Sequence, residues 1–115
     1  MYINFMIARE LVAASAEPLI LSLLSRGESY GYAIIQEIKE RSQDRIQWTD
    51  GMLYPVLHRM ERNGWIESRW VDSDNGRKRK YYAIKSDGRK ALKKQHEEWM
   101  TVHSVLLDLQ KVQYV

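Results

Sequence analysis

Thr49-Asp50-Gly51-Met52-Leu53-Tyr54-Pro55-Val56-Leu57-His58-Arg59-Met60-Glu61-Arg62 is the stretch on which the reading of the fold depends. Leu53, Val56, Leu57 and Met60 fall at i, i+3, i+4 and i+7, the spacing of one helix face. The segment is therefore predicted to be a helix with a buried stripe about two turns long. Thr49 is placed to cap it, and Asp50 suits the positive end of its peptide dipoles. Asn63 and Gly64 end it. The opposite face carries Asp50, Tyr54, Pro55, His58, Arg59 and Arg62. Arginines donate to phosphates or guanine edges, and His58 and Tyr54 are able to hydrogen-bond bases or phosphate. A charged helix face is as often plain solvated surface, and the helix alone does not decide between the two.

The residues downstream tilt the balance. Trp65 to Val71 is rich in aromatic and β-branched residues, and Arg79 to Ile84 alternates, with Lys80, Tyr82 and Ile84 on one face. Asp72-Ser73-Asp74-Asn75-Gly76 between them is a strong turn signal, so the pair is predicted to be a β-hairpin. Arg77, Lys78, Arg79 and Lys80 are consecutive at the start of its second strand. Alternation sends them to both faces, an arrangement suited to phosphate binding. Basic residues also blunt an edge strand against unwanted pairing. The helix and the hairpin together favour DNA.

Upstream, a first helix is expected from about Asn4 to Arg26, with Leu19, Ile20, Leu23 and Leu24 as its apolar face and Gly27 as its stop. Pro18 sits inside it. Either the helix restarts with Ser15 as cap and Pro18 in the first turn, or it kinks there. A second helix is expected to start near Ser29 as cap, with Gly31, Ile34, Ile35 and Ile38 in one stripe. Arg45 to Trp48 reads as a short strand. Trp48, Trp65 and Trp70 lie in or next to strands and are assigned to packing.

The last helix is predicted from about Ser86 to Gln113. Leu92, Trp99 and Leu106 repeat every seven residues, as do Gln95, Val102 and Leu109. This is a short coiled-coil seam. At 1.5 Å per residue the helix is about 40 Å long, too long to pack wholly on so small a domain. Leu92, Trp99, Val102, Leu106 and Leu109 are thus expected to meet a second copy of the chain.

Helix, helix, helix, hairpin, helix is the order of a winged helix-turn-helix with a C-terminal extension. The fold class is mainly α with a small β-hairpin: residues 1–85 form the winged helix and 86–115 the dimerisation helix, in one structural unit. In that architecture the third helix enters the major groove and the wing touches the neighbouring backbone.

Composition agrees without deciding. The chain has 115 residues, 44% of them hydrophobic and 29% charged, with a net charge of +3. The excess is mild and matters only if it collects on one face. There is no cysteine, which excludes disulfides and thiol nucleophiles. No run of 18 apolar residues occurs, and Arg9 and Glu10 interrupt the start, so a soluble, cytoplasmic protein without a membrane partner is expected. His96 and His103 share a helix face that Glu97 and Glu98 do not, so no metal site is expected. No nucleophile, base and orienter set emerges, no cofactor is implied and no enzyme is expected. Gly31 reads as a close-packing residue, since no phosphate-binding fingerprint surrounds it.

Tyr30-Gly31-Tyr32, Leu53 to Glu61, Asn63-Gly64-Trp65-Ile66 and Arg79-Lys80-Tyr81-Tyr82 resemble the signatures of the PadR transcriptional regulators over about residues 9–110. The resemblance implies a dimeric repressor whose last helix packs partly on the partner's first helix. Tyr54, His58 and Arg59 match recognition-helix positions, Tyr30 and Tyr32 the start of the second helix, and Arg79 and Lys80 the wing. With one C-terminal helix the chain resembles the short branch, which includes multidrug-responsive repressors. Some of those bind flat aromatic compounds between paired tryptophans at the dimer interface, and Trp99 falls at the matching place. Read from its own surroundings, Trp99 is either a packing residue of the seam or a platform for a planar aromatic ligand. Two positions depart from the family pattern. Lys85 stands where the family usually has a capping Thr, so Ser86 is expected to cap instead, and Pro18 borders the region of the drug pore.

The full expected site is therefore Tyr30, Tyr32, Thr49, Tyr54, Pro55, His58, Arg59, Arg62 and Arg77 to Lys80, facing double-stranded DNA. A ligand sensor and a winged helix that binds only protein are the competing readings. The basic wing opposes the second of these.

Overall fold

A computed structural model describes residues 6–112, with the side chain of Val112 excluded. The described residues form helix α1 (Arg9–Leu24), strand β1 (Ser29–Tyr30), helices α2 (Gly31–Arg41) and α3 (Asp50–Arg62), strands β2 (Ile66–Asp72) and β3 (Lys78–Ile84), and helix α4 (Ser86–Val112). Asn4 and Gln113 lie outside the described residues, but the first helix is shorter than expected within them: Met6 to Ala8 are not helical and α1 ends at Leu24.

Helix α3 forms where predicted. The Thr49 hydroxyl accepts from the Met52 amide at 3.3 Å, closing the first turn. Leu53, Val56, Leu57 and Met60 are all buried. Local propensity opposes this helix: Gly51 costs about 1 kcal/mol and an interior proline such as Pro55 up to about 3 kcal/mol. Burial of four large side chains contributes about 1.5–3 kcal/mol each and outweighs both. Helix α1 runs unbroken through Pro18 for the same reason, because Ala16, Ile20, Leu21, Leu23 and Leu24 are buried on its inner face. Ser15 is not a cap. Its hydroxyl donates back to the Val12 carbonyl at 3.0 Å, inside the helix.

The sheet has three strands in the order β1-β3-β2, all antiparallel. The hairpin is as predicted, but its companion strand is not where the sequence pointed. Arg45 to Trp48 is not a strand. The third strand is Ser29–Tyr30, which pairs with Tyr82 and Tyr81. Ser29 is accordingly not a helix cap: Tyr30 holds that position in extended backbone, and α2 begins at Gly31. Helix α4 starts at Ser86, as predicted, but Ser86 is its first helical residue and not its cap. The Arg89 amide donates to the Lys85 carbonyl at 3.0 Å, so Lys85, not Ser86, stands at the cap.

One core joins these layers. It holds Ile20, Leu21 and Leu24 of α1, Ile34 of α2, the α3 stripe, Ile66 and Tyr82 of the sheet, and Trp48. Ala91 and Leu92 from the first turns of α4 pack against it. Leu92, expected in the intermolecular seam, is partly buried against its own chain's core. His96 and Trp99 still face α1 across a groove, and further along α4 Val102, Leu106 and Leu109 are 56%, 53% and 58% exposed. Trp99, Met100, Val105 and Leu107 are exposed as well, so the open apolar face is wider than a two-position seam.

Gly88 is fixed by contact. A Cβ there would lie 2.1 Å from the Trp65 carbonyl oxygen and 2.8 Å from the Ile84 side chain. Backbone cannot yield as a side-chain tip does. Gly88→Ala is expected to lower stability by about 2–4 kcal/mol, read as a fall in the thermal or urea midpoint. A midpoint equal to that of the unmodified chain would refute this packing.

Candidate nucleic-acid interface

The start of α2, the outer face of α3 and the wing enclose one open cleft of about 750 Å³. Its walls are Tyr30, Gly31 and Tyr32 from the β1–α2 junction, Tyr54 and His58 from α3, and Trp70, Arg77, Lys78, Arg79, Lys80 and Tyr82 from the wing. Eight of the residues singled out from sequence therefore share one cavity.

The junction is built around a glycine. A Cβ on Gly31 would lie 2.4 Å from the Tyr54 hydroxyl, so the α3 tyrosine seats against the first residue of α2. Tyr54 is consequently half-buried, and its ring lies 6.4 Å from that of His58, which is exposed. Tyr32, one residue past the glycine, is 67% exposed.

The wing is a well-made hairpin. The Ser73 amide donates to the Arg77 carbonyl at 2.7 Å and the Gly76 amide to the Ser73 carbonyl at 3.0 Å. Gly76 has φ +79°, a left-handed conformation that glycine adopts without strain. This turn holds Arg77 and Lys78 at the tip. Arg79 then lies over the Tyr30 ring at 4.6 Å, and Tyr30 packs on Tyr81 at 5.2 Å. Lys80 crosses to the other face, 5.9 Å from the Trp70 ring and 5.7 Å from that of Tyr82. Such cation–π contacts place the charges without neutralising them.

Other expected residues lie elsewhere. Thr49 caps α3 and Pro55 is exposed on it. Arg59 turns away from the cleft, its Nε 3.1 Å from Glu17 Oε2 of α1. Arg62 lies further along α3 beside His58 and Glu61, at a separate shallow hollow. Sequence reading missed Trp70 and Tyr82 as parts of the cleft. Trp70, expected to pack, is instead 65% exposed. Among the described residues no helix is long and apolar enough to cross a membrane, and no group of three or more His, Asp or Glu is placed to hold a metal ion.

The profile of the transcriptional regulator PadR-like family matches residues 20–94. The chain belongs to this family. An uncharacterized protein of Lysinibacillus sphaericus is 34% identical over 101 residues, covering 88% of this chain and 93% of the relative. A transcriptional regulator from Clostridium thermocellum superposes with a TM-score of 0.80 at 32% identity, covering 88% of this chain and 95% of that one. A PadR family transcription regulator from Clostridium difficile R20291 gives 0.73 at 30% identity, covering 83% and 97%. The chain is thus a DNA-binding transcriptional regulator with a winged-helix fold and a single C-terminal helix among its described residues, and its family and structural neighbours are regulators.

Tyr82 forms the floor of the cleft and is fully buried. Its hydroxyl finds no hydrogen-bond partner among the described residues. Burial, with Tyr54 and Glu61 close by, pushes that hydroxyl up to about 12 from 10.0. The folded state therefore holds a proton that the unfolded chain releases first. Stability is fully present below pH 10 and is lost as pH rises toward 12. Tyr82→Phe removes that loss. The variant is expected to match or slightly exceed the unmodified chain at neutral pH, since an unpaired buried hydroxyl is removed. By about pH 12 it should be ahead by on the order of 2 kcal/mol in urea unfolding. Parallel pH profiles would contradict the buried, unpaired hydroxyl.

Proposed function

We propose that the chain is a sequence-specific repressor that acts as a homodimer on a pseudo-palindromic operator. The observation that carries this reading is the single cleft where the start of α2, the recognition face of α3 and the basic wing converge. In this reading α3 enters the major groove, with Tyr54, Pro55, His58 and Arg62 toward base edges and backbone. Arg77, Lys78, Arg79 and Lys80 neutralise phosphates beside it, and Tyr30 and Tyr32 line the path of the strand. Arg59 joins them by leaving Glu17. A half-exposed ion pair of that kind is worth roughly 1 kcal/mol or less, so phosphate competes with it readily.

The exposed apolar face of α4 supports the dimer. Trp99, Val102, Leu106 and Leu109 would meet a second copy, setting two α3 helices about 34 Å apart, one turn of duplex. Light scattering is expected to report twice the chain mass of 13.6 kDa. Leu106→Lys should shift it to monomer, because the interface would bury an unpaired charge. In gel shifts with DNA from upstream of its own gene, affinity should fall steeply with salt. Arg79→Ala or Lys80→Ala should weaken binding to all sequences and flatten the salt dependence, whereas His58→Ala should also relax sequence preference. A stable monomer, or binding indifferent to salt and to the wing charges, would overturn the proposal.

A second reading, release by a planar aromatic molecule, is favoured by one feature. Ser15, Pro18, Leu19, Ser22, Leu92, His96 and Trp99 line a mostly apolar groove of about 220 Å³ between α1 and α4. Pro18 is one wall of this groove. Sites for drug-sized ligands run from about 300 Å³ upward, so one chain offers part of a site that a second copy would complete. Such a ligand acts as a switch only if it binds the DNA-incompetent arrangement better. Planar aromatic compounds are expected to quench tryptophan emission saturably, with the effect lost in Trp99→Ala. Binding that survives this substitution, or none by any compound tried, would leave Trp99 as a packing residue of the dimer.

A further inference from the structure

The wing carries an aromatic side chain where only its charges were expected to act. Register pairs Trp70 with Lys80, Ser68 with Tyr82 and Ile66 with Ile84. These six residues alternate onto one face of the hairpin. At the base of the wing that face is core: Ile66 and Tyr82 are buried. Toward the tip the strands outrun the helices beneath them, and the same face opens into the cleft. Trp70 is the first large side chain past that edge. It lies on the inward face but is 65% exposed. Leaving most of an indole in water forgoes burial that the fold gives to Trp48.

Its surroundings indicate what covers it. Lys80 stands 5.9 Å from its ring, and the consecutive cations Arg77 to Lys80 flank it. Tyr32, 67% exposed, lines the same cleft. An indole has one hydrogen-bond donor, Nε1, and no acceptor. A donor, an apolar ring and adjacent positive charge together fit a chain of phosphates joined by sugars.

We propose that Trp70 is a DNA-backbone contact of the wing, its ring lying on a deoxyribose and its Nε1–H donating to the neighbouring phosphate. This rests on the DNA-binding reading above and names a residue for it. The contact is blind to base sequence and independent of formal charge, so it is separable from the lysines and arginines around it.

The test uses the full chain and an end-labelled, mixed-sequence duplex of about 30 base pairs, long enough for two half-sites one helical turn apart. Trp70→Ala is expected to weaken binding about fivefold to tenfold at every salt concentration and leave the salt dependence unchanged, since no charge is removed. Lys80→Gln should flatten the salt dependence. Trp70→Phe keeps an aromatic ring but no donor and should fall between. The emission difference between the unmodified chain and Trp70→Phe isolates the Trp70 signal, which saturating duplex should quench. Because the side chain is exposed, both variants are expected to melt with the unmodified chain. If the unmodified chain binds the duplex while Trp70→Ala binds equally well, or while Trp70 emission is untouched, this inference fails and the DNA-binding reading stands. If the unmodified chain does not bind duplex at low salt, both fall.

Discussion

The peptide groups of Trp65 tie the three working parts of the molecule together. Its amide donates to the Met60 carbonyl at 3.0 Å, closing the C-terminal end of α3. Its carbonyl accepts from the Lys85 amide at 2.9 Å, joining the base of the wing to the residue that caps α4. Gly88, in the first turn of α4, lies so close to the same carbonyl that no side chain fits between. Recognition helix, wing and C-terminal helix therefore share one rigid junction. Asn63 and Gly64 make this possible, because Gly64 takes φ +77° and turns the chain from helix into strand within two residues. A rotation of α4 relative to the domain would strain this junction at the Trp65 carbonyl, which both Lys85 and Gly88 approach.

What the sequence made legible follows from the range of the interactions. Helix α3, its Thr49 cap and the hairpin turn are set by residues within a few positions of one another, and they were readable. Strand β1 was not. Two residues form a strand only because β3, some fifty positions later, offers its edge, and Ser29 before a helix carries the local signature of a cap. The same limit applies within the site. Arg59 is drawn aside by Glu17, 42 positions away in the chain, and no pattern around Arg59 announces it. Gly31 was readable as a close-packing residue, but its partner, the Tyr54 hydroxyl, was not. Alternation placed Lys80, Tyr82 and Ile84 on one face without showing where along that face the core would end. That end decides whether Trp70 packs or faces the cleft.

The fold also sorts its cations by use. Arg41 pairs with Glu37 along α2, Arg59 with Glu17, and Arg69 with Glu28. Arg79 and Lys80 stand instead over Tyr30, Trp70 and Tyr82. An ion pair satisfies a charge, whereas a ring orients it and leaves its field outward. A net charge of +3 is small for a chain that meets a polyanion. Its distribution compensates: acidic partners hold Arg41, Arg59 and Arg69 on α2, α3 and β2, while aromatic partners hold Arg79 and Lys80 of β3 at the mouth of the cleft. Local field, not net charge, then governs what approaches.

The two apolar exposures of the molecule arise in the same way, from elements longer than the layer that supports them. The helical layer covers the hairpin as far as Tyr82 and Ser68, and Trp70 is the next step outward on that face. The domain likewise borders α4 as far as Trp99, which lines a groove with α1, and the apolar row from Val102 to Leu109 lies beyond. Shortening either element would cost the core nothing that it now buries. Both overhangs are therefore surfaces that folding of the single chain does not account for, and they differ in chemistry. The wing carries its indole among cations, while the exposed part of α4 presents Val102, Val105, Leu106 and Leu109 together. An apolar row of that length suits a surface of its own kind, since hydrophobic burial has no direction and needs only area. The cationic overhang suits an anion, since like charges would hold two wings apart. The same architectural device, an element run past its support, thus yields one surface suited to a second copy of the chain and one suited to nucleic acid, with the difference written in the side chains alone.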